Sequence, residues 1–391
     1  MKIVFFSNYL NHHQIPLAEA FNSTPGVNYT FVAVASVPEF RKRLGYLEYQ
    51  KPYLLEIGES LENKERAKQL AIEADVVIFL AAPLIYEYII PRLIEKKLTF
   101  EYSERWFKKR FKLNILSPRL WKYLWFYHKY GRNANLYMLS AGAYVPNDFY
   151  FFNAYKKRCF KWGYFTKVDD DFEVEAPKQG ASTSEITPFM WCARFLKLKH
   201  PELPVHLAAR LKAKGYQFVI DMYGNGEELE HTKRLITRLG VEDCVNLCGN
   251  RPNEEILKEM RKHKIFLFTS DQNEGWGAVA NEAMSNGCCI IGSNTIGSIP
   301  YLVKDGVNGL IYKSEDLDSL CSKVEKVLDD KDYLTSISHQ AVLDMQQVWS
   351  PGNASKRLLT LVENLSQTGE TSFIDGPCSK AEPIDSKSVW K

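Results

Sequence analysis

A loop that contains glycine and glutamate follows a buried apolar stretch in the second half of this 391-residue chain. The apolar stretch ends at Ser270, and the helical spacing of apolar residues resumes at Ala278 and continues to Ser285. Between them lie Glu274, Gly275, Trp276 and Gly277. Glycines between a strand and a helix let the backbone approach a ligand closely, and the unpaired N–H groups that begin the helix attract an anion. We therefore expect a phosphate group to bind in this loop.

A second glutamate, Glu282, follows Glu274 after eight positions. Eight residues make about two turns of helix, so both carboxylates are expected on the same side. A carboxylate beside a phosphate is electrostatically unfavourable unless it accepts hydrogen bonds, which sugar hydroxyls can donate. The pair is therefore compatible with a phosphorylated sugar. The alternative is that Glu274 caps the helix and Glu282 is a solvated surface residue.

The stretch EGWGAVANEAMSNG around these glutamates, together with DGVNG at 305–309, resembles the retaining glycosyltransferases of family four, which have the GT-B fold. The similarity runs from about Phe189 to Tyr312 and is weak over residues 1–170. It implies that Glu274 contacts the donor sugar, that Glu282 binds the ribose hydroxyls, and that the glycine loop receives the diphosphate of a nucleotide sugar.

The resemblance also places Arg194 and Lys199 on the donor diphosphate. The chemistry agrees, because a transferase without a metal needs cations to neutralise the departing nucleotide diphosphate. Two basic residues five positions apart are otherwise more typical of a solvated helix start. The remaining donor-binding residues that the family implies are Gly224, Asn225 and Arg251. Ser298 and Tyr301 depart from the family pattern, and they weaken any inference about which nucleotide or sugar is bound.

The first half of the chain offers polar residues after two predicted strands. The loop after the strand Lys2–Ser7 contains His12 and His13, and a later strand is followed by Glu104 and Arg105. Ligands of open α/β sheets bind at the carboxyl ends of strands. We expect these four residues on the acceptor side, although two histidines in a polar loop are also compatible with a surface role or a helix cap.

Residues 105–132 contain nine Lys or Arg, nine aromatic residues and no acidic residue. A helix is predicted to begin at Ser117 and Pro118, with Trp121 and Trp125 on one face. Cations mixed with Trp and Tyr are typical of an anionic membrane surface. A core helix with cationic edges is the second interpretation, and a nucleic-acid site is the third; we expect the membrane and no nucleic acid.

Alternating strands and helices predict α/β architecture, in the form of two doubly wound Rossmann-like domains that face a central cleft. The expected order is an acceptor-binding domain over 1–170, a linker over 171–188, and a nucleotide-sugar domain over 189–349. A helix over 350–366 is expected to cross back to the first domain, and 367–391 to be a disordered tail.

The overall composition is ordinary for a globular protein, with 45% hydrophobic and 25% charged residues. We expect the first apolar run to be a strand and not a signal peptide, and the longest apolar run is too short to span a bilayer. Its eight scattered cysteines fit buried free thiols in a reducing compartment better than a zinc site. We therefore expect a cytoplasmic protein that is peripheral on the inner face of the membrane.

These features together predict a retaining, metal-independent hexosyltransferase that needs no cofactor. Its donor is expected to be a UDP- or GDP-linked sugar, and its acceptor a glycan or a lipid-linked sugar of cell-surface polysaccharide or glycolipid synthesis. Two alternatives stay open: a non-hydrolysing nucleotide-sugar epimerase, and a non-catalytic GT-B partner subunit.

Overall fold

The computed structural model describes residues 1–39, 47–58, 60–107, 117–174 and 186–384. The chain divides into two compact units. The N-unit consists of residues 1–167 and 349–384, and the C-unit of residues 168–348. None of the helices in these described ranges is both long and apolar enough to cross a membrane.

The N-unit is built on one seven-stranded sheet in the order β3-β2-β1-β4-β5-β6-β7. Every neighbouring pair of these strands is parallel. The strands are β1 Lys2–Ser7, β2 Asn28–Ala33, β3 Leu54–Glu56, β4 Val76–Leu80, β5 Thr99–Ser103, β6 Leu136–Ala141 and β7 Cys159–Trp162. Its helices are Ile15–Asn22, Leu61–Glu73, Tyr86–Ile94, Pro118–Phe126 with a π-helical turn at Tyr127–Gly131, Val145–Phe151 and Pro351–Gln367. The central strands are buried along most of their length, which is why they read as continuous apolar runs.

The C-unit is built on a six-stranded parallel sheet in the order β10-β9-β8-β11-β12-β13. The strands are β8 Thr187–Cys192, β9 Phe218–Tyr223, β10 Val245–Gly249, β11 Ile265–Phe268, β12 Cys289–Ser293 and β13 Leu310–Tyr312. Its helices are Glu202–Ala213, Leu229–Leu239, Asn253–Met260, Val279–Ser285, Ile299–Leu302, Leu317–Asp329 and Lys331–Gln347, with a 3-10 turn at Lys197–Lys199.

Both sheets reverse their strand order at one point, between β1 and β4 in the N-unit and between β8 and β11 in the C-unit. The loops that leave two such strands at their carboxyl ends diverge to opposite faces, so a crevice opens between them. The predicted α/β class with two doubly wound parallel sheets is therefore confirmed. The predicted site residues of the C-unit lie mostly on these carboxyl-end loops.

The chain after the helix Pro351–Gln367 is ordered as far as residue 384, contrary to the expected disordered tail over 367–391. Residues 378–381 lie antiparallel beside the outer strand β7. The backbone N–H of Cys378 donates to the carbonyl of Lys161 at 2.8 Å, and the N–H of Ala381 donates to that of Cys159 at 2.9 Å. The sequence did not reveal this pairing because the partner strand lies more than two hundred residues earlier. Residues 385–391 lie outside the described ranges.

The start of the expected linker is also part of a folded unit. Asp169 forms an ion pair with Arg261 at 2.8 Å, and the side chain of Gln346 donates to the carbonyls of Asp169 and Phe172. Residues 168–174 therefore pack on the C-unit, which differs from a linker that begins at 171. Residues 175–185, which make up most of the expected linker, are outside the described part of the chain.

Candidate active site

The loops after β8 and β11 in the C-unit are bound to each other. The N–H of Asp271 donates to the carbonyl of Leu198 at 2.9 Å, and the hydroxyl of Thr269 donates to the carbonyl of Lys199 at 2.6 Å. The indole N–H of Trp191, in β8, donates to the same threonine at 2.8 Å. These bonds hold the backbone around Lys199 against the loop that carries Glu274.

Lys199 and Glu274 form a direct ion pair. Both side chains are largely buried, with 16% and 15% of their surface exposed, and the hydroxyl of Ser270 also donates to the Glu274 carboxylate at 3.1 Å. The helix that begins at Val279 has no side-chain hydrogen bond at its cap. Glu274 is therefore not the helix cap of the alternative interpretation. The fold brings it into contact with Lys199, which lies 75 residues earlier in the sequence.

Three glycines shape the backbone around this pair. A Cβ atom on Gly224, whose φ is +131°, would lie 1.9 Å from the carbonyl oxygen of Ala193. One on Gly226, at φ +155°, would lie 2.4 Å from the carbonyl oxygen of Phe195. Gly277, at φ +82°, is equally constrained, because a Cβ atom there would lie 2.3 Å from the ring of Phe268. These turns need glycine for both conformation and space.

The other predicted donor contacts lie at the carboxyl ends of neighbouring strands. Arg194 follows β8 and Arg251 follows β10, and both are exposed. Asn225 is exposed between the two glycines after β9; its carbonyl accepts from the N–H of Phe195 at 2.9 Å, and its side chain accepts from the N–H of Gly226 at 2.7 Å. The fold thus gathers these residues, which are distant in sequence, at one edge of the C-unit sheet.

Glu282 is half-buried and accepts a hydrogen bond from the side chain of Asn253 at 3.2 Å. Burial raises its pKa to about 7. The carboxyl is therefore poised between its neutral and ionised forms near neutral pH, unlike the solvated surface residue of the alternative interpretation.

The side chain of Trp276 lies in the interior and is fully buried. Its indole N–H donates to the side chain of Asn281 at 2.7 Å, and its ring packs near that of Tyr301. The prediction of Trp276 as a donor contact therefore does not hold for its side chain, which anchors the loop. Burial of the large indole ring away from water is more favourable than its exposure to a ligand, although the stretch around it is rich in glycine. Gly275 beside it is buried as well.

The prediction did not include His200, which lies next to Lys199. It adopts a left-handed conformation, with φ +49°, and its ring lies between the carboxylates of Asp271 at 3.6 Å and Glu202 at 2.7 Å. These carboxylates raise the pKa of His200 and so favour its cationic form. Its adjacency to Lys199 was the only sequence signal, since Asp271 arrives from a distant loop.

In the N-unit, two of the predicted acceptor-side residues are joined by a tyrosine. The rings of His12 and His13 lie 3.8 Å apart, and His13 stacks on Tyr164 at 5.9 Å. The Tyr164 hydroxyl donates to the Glu104 carboxylate at 2.7 Å. Burial lowers the pKa of His12, and burial together with the neighbouring His12 lowers that of His13 to about 3. A neutral imidazole can both donate to and accept from a hydroxyl, which suits the predicted acceptor side.

Arg105 is held inside the N-unit. Its guanidinium lies 3.6 Å from the carboxylate of Asp148 and 5.2 Å from the ring centre of Tyr144. Asp148 also accepts from two backbone N–H groups, which fixes the chain just after β5. A pocket at the carboxyl ends of β1, β4 and β5 is lined by Asn8, Ala81, Glu104, Arg105 and Tyr164, among others.

Comparisons with known proteins find glycosyltransferases. Residues 174–342 match the family model of the glycosyl transferases group 1. The chain is 32% identical over 113 residues to a D-inositol 3-phosphate glycosyltransferase of Corynebacterium aurimucosum. The aligned region covers 29% of this chain and 26% of that protein. It is 24% identical over 179 residues to the putative colanic acid biosynthesis glycosyltransferase WcaL of Salmonella typhimurium, 44% of each chain. The chain thus spans less than half the length of these relatives.

Solved structures extend the likeness to both units. The Anabaena protein Alr3699/HepE in complex with UDP has a TM-score of 0.65 at 16% identity, over 94% of this chain and 100% of that one. TarM has a TM-score of 0.66 at 10% identity, over 92% and 98%. At these identities the likeness shows the fold alone, and that fold is GT-B, as predicted.

Proposed function

We propose that this chain, whose residues 174–342 match the glycosyl transferases group 1 and whose fold is GT-B, moves a hexose from a nucleotide sugar to a glycan or lipid-linked acceptor. The observation that carries the proposal is the buried ion pair between Lys199 and Glu274, together with three positions in the neighbouring loops that only glycine fits. A cation that can hold phosphate and a carboxylate that can hold sugar hydroxyls are thereby placed within one hydrogen bond of each other.

In the proposed donor complex, Lys199 and the exposed Arg194 neutralise the diphosphate, and the tight turn at Gly224 lets the backbone approach it. Glu274 contacts the donor sugar, and Glu282 accepts from the ribose hydroxyls. When the donor binds, the ammonium of Lys199 turns from the Glu274 carboxylate towards a phosphate, so Lys199 exchanges one anionic partner for another. The cationic His200 adds to the positive potential beside Lys199.

The proposed reaction retains the configuration of the sugar by a same-face route. The bond from the anomeric carbon to the diphosphate breaks, the bond to the acceptor oxygen forms on the same face, and a leaving phosphate oxygen takes the acceptor proton. No enzymic base is needed on this route, and the side-chain cations stabilise the charge that develops on the phosphate.

The donor is proposed to be UDP- or GDP-linked. The UDP choice is supported by the solved Anabaena protein, whose complexes contain UDP and UDP-glucose. Polysaccharide synthesis is supported by relatives that are named for colanic acid and amylovoran biosynthesis. The acceptor contacts are proposed to come from the N-unit pocket with Glu104 and Tyr164, where a carboxylate and a phenol can bind hydroxyls, and from His12 and His13, which lie beside Tyr164.

A panel of UDP-, GDP- and ADP-sugars tests the proposal by thermal shift and by release of free nucleotide with and without an acceptor extract. We expect one nucleotide class to stabilise the C-unit and its sugar to be transferred only when an acceptor is present. Interconversion of the nucleotide sugar without an acceptor would instead indicate an epimerase. Tight nucleotide binding with no turnover on any acceptor would indicate a non-catalytic subunit.

Chelation tests the metal-independent part of the proposal. EDTA is expected to leave the transfer rate unchanged, because side-chain cations are assigned the role of neutralising the diphosphate. The rate is measured before chelation, after it, and after addition of Mg²⁺ or Mn²⁺. A loss that only the metal restores would contradict the assignment.

A further inference from the structure

Four large aromatic side chains of the described residues are exposed to solvent, and all four lie in the N-unit between residues 118 and 151. Trp121 and Trp125 are each 55% exposed, Tyr150 is 49% exposed and Phe151 is 63% exposed. Exposed aromatic rings in one part of a surface are a recognised mark of an interaction site. The first two belong to the helix Pro118–Phe126 and the last two to the helix Val145–Phe151.

These two helices are neighbours. Tyr123 on the first packs on Phe149 of the second, with ring centres 5.6 Å apart. The first helix is also anchored to the sheet, because the hydroxyl of Tyr123 donates to the buried carboxyl of Glu101 in β5 at 3.2 Å. Leu120, Tyr123 and Leu124 face the interior, so the core requirement of this helix is met without its two tryptophans. The core-helix interpretation of the segment therefore accounts for one face only.

Cations surround the exposed rings. Arg119, Lys122, Lys129 and Lys156 are exposed. The ammonium of Lys129 lies 4.6 Å from the ring centre of Trp125, and that of Lys156 lies 4.9 Å from the ring centre of Tyr150. The one acidic residue between 105 and 158 is Asp148, which is 6% exposed and engaged with Arg105. This stretch therefore presents positive charge and aromatic area together, with no exposed carboxylate.

We propose that this aromatic–basic surface, formed by the four rings and the four cations, docks the protein on an anionic lipid bilayer. Indole rings prefer the headgroup depth of a membrane, and phenyl rings add buried apolar area beneath it. Each Lys or Arg near an anionic surface contributes on the order of 1 kcal/mol. A single-strand nucleic-acid site would need a groove that follows the phosphate backbone, whereas these side chains lie on the outer faces of two helices. The inference goes beyond sugar transfer and is tested without donor or acceptor.

The test is cosedimentation of the full chain with vesicles of phosphatidylcholine mixed with phosphatidylglycerol, against phosphatidylcholine alone. Salt is set at about 0.1 M and about 1 M, where the Debye length is about 10 Å and about 3 Å. We expect binding to anionic vesicles that weakens in high salt but persists, with a blue shift of tryptophan emission. Equal or negligible binding to both vesicle types overturns the proposal. Binding of single-stranded RNA in place of vesicles, lost entirely in high salt, overturns it in favour of nucleic acid.

Two pairs of variants locate the contact. K122Q/K129Q should lower partition into anionic vesicles about 30-fold, which is the effect expected for the loss of two cations. The control K64Q/R66Q removes two cations of the helix Leu61–Glu73 and should leave the partition near the wild-type value. W121Q/W125Q should abolish the salt-resistant part, whereas L61Q/L84Q, which removes two exposed leucines elsewhere in the N-unit, should not.

Circular dichroism and thermal unfolding of the same samples show whether each variant is folded. Because the donor site is proposed in the C-unit, failure of docking and failure of that site give different results. Loss of docking in the control pairs to the same extent as in the surface pairs would show that the surface is not the contact.

Discussion

At the scale of single residues, Lys199 is the side chain on which most of the proposed chemistry depends. Lys199→Ala is expected to lower kcat/KM for sugar transfer by about 100-fold or more, because loss of a preorganised charge contact to the leaving group costs about 3 to 4 kcal/mol. Arg194→Ala should act in the same direction. Near-normal kcat/KM in both variants would remove the diphosphate assignment.

The stability control for Lys199→Ala is the double variant Lys199→Ala/Glu274→Gln. The single variant leaves a largely buried carboxylate without its cation, whereas the double variant also removes the charge. The double variant should therefore unfold at a temperature closer to that of the wild type than the single variant does. Equal unfolding temperatures of the single variant and the wild type would show that the low activity of Lys199→Ala does not come from instability.

Glu282 should make nucleotide affinity depend on pH. Its carboxylate is proposed to accept from the ribose, and burial raises its pKa to about 7. Affinity for the free nucleotide should therefore fall as the pH decreases below about 7, by roughly tenfold at about pH 6 relative to about pH 8. Glu282→Gln should bind weakly at every pH and lose this dependence, as measured by calorimetric titration. A wild-type affinity that is flat over this range would contradict the role.

The same shift has a consequence for stability with a definite sign. A carboxyl whose pKa is raised on folding loses its contribution to stability as the pH rises from its ordinary value through about 7. Glu282→Gln should therefore unfold at a higher temperature than the wild type above neutral pH.

Glu274→Gln should differ from Glu282→Gln in its kinetics. It should lower kcat more than it raises KM, because Glu274 is placed nearest the reacting sugar.

Sequence reasoning at this scale selects residues by their type and spacing. It predicted Glu274 and Glu282 as site residues, and the structure gives them different partners, Lys199 and Asn253. It did not select Tyr164 or His200. Each gains its environment from segments distant in the chain, and no local pattern records that.

At the scale of elements, the loop after β11 should tolerate substitution less well than a loop of the same backbone conformation elsewhere. Gly277 and Gly215 both have φ +82°, but only at Gly277 would a Cβ atom collide with another group, the ring of Phe268 at 2.3 Å. Gly215→Ala should cost about 1 to 2 kcal/mol from the left-handed conformation. Gly277→Ala should cost a further 1 kcal/mol or more, roughly, from overpacking.

Thermal unfolding of the two variants measures this difference, and donor binding adds an independent readout. The same Cβ atom on Gly277 would lie 3.3 Å from the Glu274 side chain, so Gly277→Ala should also weaken donor binding while Gly215→Ala does not. Equal effects of the two substitutions would show that the contact with Phe268 is unimportant.

Most elements could be predicted because they are periodic. The helix predicted from Ala278 to Ser285 is observed over Val279–Ser285, and the helix predicted over 350–366 is observed over Pro351–Gln367. The segment 378–381 could not be predicted, since it is short, aperiodic and defined only by β7. In the helix Pro118–Phe126, composition indicated exposed tryptophans but could not show which face the core would take.

At the scale of the whole molecule, the segment 378–381 protects the outer edge of the N-unit sheet. Deletion of residues 370–391 should expose the unpaired backbone groups of β7, and such edges pair readily with other chains. We expect concentration-dependent association by light scattering and a lower unfolding temperature. Deletion of 385–391 alone is the control and should have neither effect. A monomeric, equally stable long deletion would contradict the protective role.

The N-unit is assembled from two stretches of chain with the entire C-unit between them. A ribosome that adds about 5 to 20 residues per second needs roughly 10 to 40 s to make the C-unit before it starts on the helix Pro351–Gln367. During that interval the face of Ile15–Asn22 that this helix later covers, and the outer edge of β7, remain open on the nascent chain. The N-unit thus begins first and is completed last, so its unfinished surfaces are exposed to other chains throughout synthesis of the C-unit.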